Sequence, residues 1–79
     1  MRIDKYLKNA RIIKRRTIAK EACEQGRVLV NGKEAKPGTV LSVGDIIQIN
    51  FGANTMKIEV LKLLEHVTKE SAEEMYRNI

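Results

Sequence analysis

Gly26-Arg27-Val28-Leu29-Val30-Asn31-Gly32 is the stretch on which the fold turns. Val28, Leu29 and Val30 favour an extended chain. Asn31-Gly32 follows at once, and both residues tolerate positive φ, as a two-residue hairpin loop requires. Gly26 stands where a helix ends in a left-handed residue. Helix therefore belongs upstream of this stretch and antiparallel sheet downstream.

Upstream, the spacing predicts a first helix over Arg2 to Ala10. Ile3, Leu7 and Ala10 share one face at intervals of four and three, with Tyr6 beside them. Ile12 and Ile13 turn inward where that helix ends. A second helix is expected from about Arg15 to Gln25, with Ile18, Ala19, Ala22 and Cys23 along one side. Its start is poorly specified. Arg15 cannot cap, and Thr17 falls one or two residues late. Lys14, Arg15 and Arg16 also oppose the helix dipole. A local electrostatic cost of this kind is more expected at a binding site than in scaffold.

Downstream, Lys33 to Lys36 returns along the hairpin. Pro37-Gly38 makes a turn, Thr39 to Leu41 pairs again, and Gly44-Asp45 leads into a strand at Ile46 to Phe51. Gly52 to Asn54 is a loop, and Met56 to Leu64 reads as the last strand. From Thr68 the pattern changes. Ser71 and Glu74 have capping-box spacing, and Ala72, Met75, Tyr76 and Ile79 form an apolar stripe. This predicts a short C-terminal helix, which is marginal alone and must dock on its own sheet or on a partner. The expected fold class is α+β: two N-terminal helices packed on a small, mostly antiparallel sheet, with a short C-terminal helix. Residues 1–65 form the domain and 66–79 a helical tail.

Charge is unevenly distributed. The first thirty residues hold nine basic and three acidic side chains, a net +6; the remainder holds six basic and seven acidic, a net −1. Excess positive charge gathered in one folded segment of a 79-residue chain fits a polyanion, with nucleic acid the first candidate. Other chemistry lacks its residues. Cys23 is alone, so there is neither an internal disulfide nor a cysteine zinc site, and it is expected to be buried as a small hydrophobe. His66 has no partner for catalysis or metal binding, and no cofactor is expected. Glu21, Glu24, Glu73 and Glu74 lie among lysines and read as solvent-facing, with no nucleophile–base set. No apolar run reaches the roughly 18–20 residues of a membrane span, and the N-terminus does not read as a secretory signal. Tyr6, Phe51 and Tyr76 are too few and scattered for a base-stacking sheet. Recognition should therefore rest on phosphate and shape more than on base identity.

Arg2-Ile3-Asp4-Lys5-Tyr6-Leu7, Arg15-Arg16-Thr17-Ile18-Ala19, Gly26 to Gly32 and Val43-Gly44-Asp45-Ile46-Ile47 occur in an order and spacing that resemble the S-four domain, the RNA-binding domain of small-subunit ribosomal protein four. The resemblance spans roughly residues 1–65. Within it the chain is most similar to the stand-alone bacterial members: the heat-shock protein fifteen group and, more closely, the ribosome-associated quality-control (RqcP) group. The long basic C-terminal extension of the enterobacterial heat-shock group has no counterpart here, which favours the latter. One departure is Arg15, where many members carry a capping Ser or Thr.

The resemblance implies a non-catalytic, cytoplasmic factor that binds the large ribosomal subunit after a stalled ribosome has split. It would contact rRNA and peptidyl-tRNA and support alanine tailing of the stalled chain, beside a NEMF-family partner. The chain itself would be monomeric and independent of membranes. Heat-stress recycling of blocked large subunits is the neighbouring alternative. Helix-turn-helix binding to DNA is another, though the cations gather before and at the second helix's start, as for phosphate gripping.

Arg16 matches the family's most constant RNA-contacting arginine, and its planar fork suits phosphate. Arg2, Lys5, Arg11, Arg15 and Lys20 are expected to complete the patch. Arg27, beside the end of the second helix, and Asn31, at the hairpin tip, are further candidates. Lys8 and Lys14 are weaker ones. Asp4 is expected to salt-bridge a neighbouring cation and orient it, as a surface pair of little weight, about 0–1 kcal/mol.

Overall fold

Arg2 is extended (φ −68°, ψ 145°) and its carbonyl accepts from the Tyr6 N–H, opening helix α1 (Ile3–Asn9). Ala10 closes α1 and Arg11 enters the left-handed region at φ 59°. The Arg11 N–H donates to the Lys8 carbonyl and the Ile12 N–H to that of Leu7, the paired bonds of a Schellman end. Helix α2 (Arg16–Glu24) begins after an extended Arg15 that makes no side-chain cap. It ends as α1 does: Gly26 sits at φ 73°, its N–H donates to Cys23, and the Arg27 N–H donates to Ala22. Both helices match the expected limits within one residue. The computed structural model that shows this describes residues 1–79.

The strands are β1 (Val28–Val30), β2 (Lys33–Glu34), β3 (Ile46–Phe51) and β4 (Asn54–Val60), followed by helix α3 (Lys69–Glu73) and β5 (Tyr76–Asn78). All pair antiparallel in the order β2-β1-β3-β4-β5. Asn31 (φ 51°) and Gly32 (φ 84°) form the two-residue loop between Val30 and Lys33, both in the left-handed region. The fold class is the expected α+β arrangement.

Four local expectations need correction. Thr39 to Leu41 is not a sheet strand. It makes one bridge, Arg2 to Val40, flanked by Ile3 N–H to Thr39 and Leu41 N–H to Met1, and so holds the chain at the entry to α1. The strand predicted for Met56 to Leu64 starts and stops earlier, at Asn54 and Val60, and is not the last. The C-terminal helix stops at Glu73, and its capping box is Thr68 with Ser71 rather than Ser71 with Glu74. Residues 76–78 then add a strand beside β4, with Val60 opposite Tyr76 and Ile58 opposite Asn78. The physical cause is the outer edge of β4: its backbone groups need partners, and a strand supplies them where a helix cannot. Fourthly, Ile18 is 48% exposed, whereas Ala19 and Cys23 are buried, so the apolar side of α2 is narrower than its sequence suggests.

The core joins Ile3, Tyr6 and Leu7 of α1 to Ala19 and Cys23 of α2, to Val28, Ile47, Ile49, Ile58 and Val60 of the sheet, and to Met75. Alternation along β3 and β4 places these sheet residues on one face. Tyr6 is wholly buried, and its hydroxyl donates to the Met75 carbonyl at 2.7 Å. The same carbonyl accepts the Leu61 and Lys62 N–H groups. The C-terminal apolar stripe is therefore largely consumed inside the domain: Ala72 and Met75 are buried, and only Ile79 of its four members is well exposed. No helix is long and apolar enough to cross a membrane.

Candidate nucleic-acid interface

Asp4 lies in the first turn of α1, where a carboxylate is favoured by the helix dipole. Packing of α2 across it buries its side chain to 3% exposure. A carboxylate removed from water needs donors and counter-charge. Oδ1 accepts the Lys5 N–H at 2.8 Å. Oδ2 accepts from Arg2 Nη2 at 3.1 Å and lies 3.4 Å from Arg16 Nε. One buried acid thus tethers two guanidiniums that are themselves half in solvent, at 52% and 48% exposure. The trio carries net charge +1, and the outward donors of both forks stay free.

Lys20 stands one turn beyond Arg16 on α2. With Arg2, Asp4, Arg16 and Thr17 it lines an open depression of about 290 Å³. The first turn of α2 contains no acidic residue and receives no side-chain cap. Positive side chains and the positive end of a helix dipole thus face one concavity, a setting that attracts oxyanions.

The fold distributes the other expected residues differently. Lys5 pairs with Glu65, and that bond holds the Glu65 carboxyl below its usual range. Arg15 is exposed immediately before Arg16. Arg11 is brought to Lys8 and Lys14, at the opposite end of α1 from Arg2. Arg27 follows the far end of α2, which itself rises about 12 Å from Arg16 at 1.5 Å per residue. Asn31 sits at the hairpin tip with its side chain engaged: Nδ2 donates to Asp45 and Oδ1 accepts the Ile46 N–H. Of the eight candidates, Arg2, Arg16 and Lys20 converge on one depression.

Asp4 does pair with and orient neighbouring cations, as its sequence suggests, but it is buried rather than on the surface and holds two guanidiniums rather than one. Its position three before Leu7, within the buried stripe of α1, was the available signal; the burial itself comes from α2. Cys23 is buried, and burial, then the charges of Asp4 and Glu24, push its thiol up to about 11, so it is a poor nucleophile. No cluster of three His, Cys, Asp or Glu side chains is placed to hold a metal ion.

The S4 domain model matches residues 1–47, from the start of the chain into β3. The chain is 53% identical over 76 residues to the RQC P-site tRNA stabilizing factor of Halalkalibacterium halodurans, covering 96% of this chain and 86% of that one. It is 43% identical to the Bacillus subtilis protein of the same name, covering 96% and 88%. Among solved structures, the trimeric heat shock protein 15 of Vibrio cholerae superposes with a TM-score of 0.92 at 31% identity, over the whole of this chain and 81% of that one.

Proposed function

The chain belongs to the S4 domain family, and we propose on that premise that it is a non-catalytic RNA-binding factor of the large ribosomal subunit. It contacts rRNA and peptidyl-tRNA in ribosome-associated quality control and so supports alanine tailing of stalled nascent chains. It acts in the cytoplasm as a monomer, beside a NEMF-family partner that brings the tRNA. The names borne by the relatives at 53% and 43% identity support this reading.

The observation that carries it is the tethering of Arg2 and Arg16 by the buried Asp4. An arginine free in solvent loses side-chain entropy when it grips a phosphate. One already held through a single nitrogen loses less, while its remaining N–H groups can still bond in a fork. Lys20 adds a point charge to the same depression. Such a surface positions an RNA backbone without reading bases, and its binding weakens steeply with salt as counterions are reclaimed.

The test is co-sedimentation of Arg16→Ala with purified large subunits at moderate salt. Loss of binding with an unchanged circular dichroism spectrum is expected; retained binding would overturn the reading. The structural similarity to heat shock protein 15 favours a second reading, recycling of blocked large subunits under heat stress. Alanine tailing of a stalled reporter in a deletion strain separates the two, since only the first predicts that tails disappear.

A further inference from the structure

We propose that Lys8, Arg11 and Lys14 form a second subsite for RNA backbone, at the end of α1 remote from Asp4. It presupposes the RNA-binding reading above and adds a second point of attachment to it. The three cations line a recess of about 470 Å³ whose other walls are Asn9 and Val67. No acidic residue lines it, and none of the three cations takes part in an ion pair. Like charges held around one concavity repel, and no carboxylate lies among them to offset that repulsion.

The backbone points the same way. α1 and α2 end in the same hydrogen-bonded motif, and the left-handed position is Gly26 in one and Arg11 in the other. Glycine adopts that conformation freely, whereas an L side chain crowds its own backbone. The chain thus carries an arginine where the fold would be more stable with glycine. Cations near a helix C-terminus complement its dipole, which accounts for Lys8, in the last turn. It does not account for Lys14, which lies beyond the helix, or for a strained Arg11.

The recess is built in advance of any ligand. Asn9 is buried, and its Nδ2 donates to the Leu64 carbonyl at 3.0 Å and the Glu65 carbonyl at 3.4 Å. These bonds hold the segment leading to Val67 against α1. The cations can bind phosphate oxygens while Val67 offers an apolar wall to a ribose, and the volume exceeds what a bare phosphate needs. The two concavities stand at opposite ends of α1, whose seven residues rise about 10 Å.

The test compares purified large-subunit binding across a salt series for four proteins besides the wild type. The combined variant Lys8→Gln/Arg11→Gly/Lys14→Gln is expected to bind at least about tenfold more weakly, with the slope of log K against log salt reduced by about 2. Lys33→Gln/Lys57→Gln/Lys62→Gln, an equal loss of charge at residues that line neither concavity, should keep most of the affinity. Arg11→Gly alone should raise the melting temperature while lowering affinity, opposite signs that a purely structural role cannot produce. If the combined variant binds like the charge-matched control, or if Arg11→Gly leaves affinity unchanged, the subsite is refuted. Arg16→Ala in the same series separates the two levels: an unaffected Arg16→Ala refutes RNA gripping altogether, whereas a weakened Arg16→Ala beside an unaffected recess variant refutes the subsite alone.

Discussion

Asp4 Oδ2 lies 3.4 Å from Arg16 Nε, joining the first turn of α1 to the first residue of α2. The same oxygen holds Arg2 at 3.1 Å. A single carboxylate therefore links two helices and aims two arginines. Replacing Asp4 with Asn removes the counter-charge but keeps the shape. Breaking a buried pair on one side is strongly destabilising in general, but the guanidiniums here are half-solvated. The expected cost is about 1–2 kcal/mol, together with weaker large-subunit binding. Thermal melts and co-sedimentation check this; Asp4→Asn with both properties intact would show that the tether is idle.

Tyr6→Phe deletes one buried hydrogen bond without changing core volume. The Met75 carbonyl keeps its bonds from Leu61 and Lys62, so the loss should be about 1 kcal/mol. Urea titration gives the number. A loss above about 3 kcal/mol would mean that the hydroxyl organises the C-terminal segment rather than merely bonding to it.

Glu65→Gln should strengthen RNA binding. Lys5 is presently paired with Glu65 on the surface, and the depressed carboxyl keeps that partner charged at neutral pH. Removing the charge frees the ammonium and raises the local potential, with a gain of about twofold at low salt that fades as salt rises. Unchanged affinity throughout the salt series would place Lys5 outside the contact surface.

Alkaline pH should weaken the fold through Cys23. Burial lifts its thiol from 9.0 to about 11 in the folded chain. Between those values the unfolded chain releases a proton that the folded chain keeps. The contribution is thus fully present below pH 9 and declines as pH rises towards 11. Cys23→Ala should show a shallower decline in urea-derived stability across that window. Identical profiles for the two proteins would contradict the assignment.

Truncation before Thr68 should destabilise the domain by about 3 kcal/mol or more, because it removes the buried Ala72 and Met75 and uncovers the edge of β4. Circular dichroism and thermal melts provide the check. A truncated chain that melts like the full one would make the last twelve residues an appendage.

Both helices, the glycine end of the second, the Asn31-Gly32 loop and the basic N-terminal third could be read along the chain because each depends on residues within a turn or two of one another. So could the family resemblance, which rests on four short motifs in order. The place of Arg16 at the start of the second helix was legible for the same reason. The left-handed Arg11 that ends the first helix was not, and neither were residues 76–79. Their spacing suits a helix face, and what makes 76–78 a strand is the open edge of β4, some sixteen residues earlier in sequence. Nor was the partition of the cations legible: charge counting merges Arg11 with Arg16, while the packed helices set them in separate concavities. Asp4 shows the limit most directly. Its letter and position were known, but a carboxylate becomes a buried anchor only when another helix excludes water from it, and that exclusion is a property of packing rather than of local sequence.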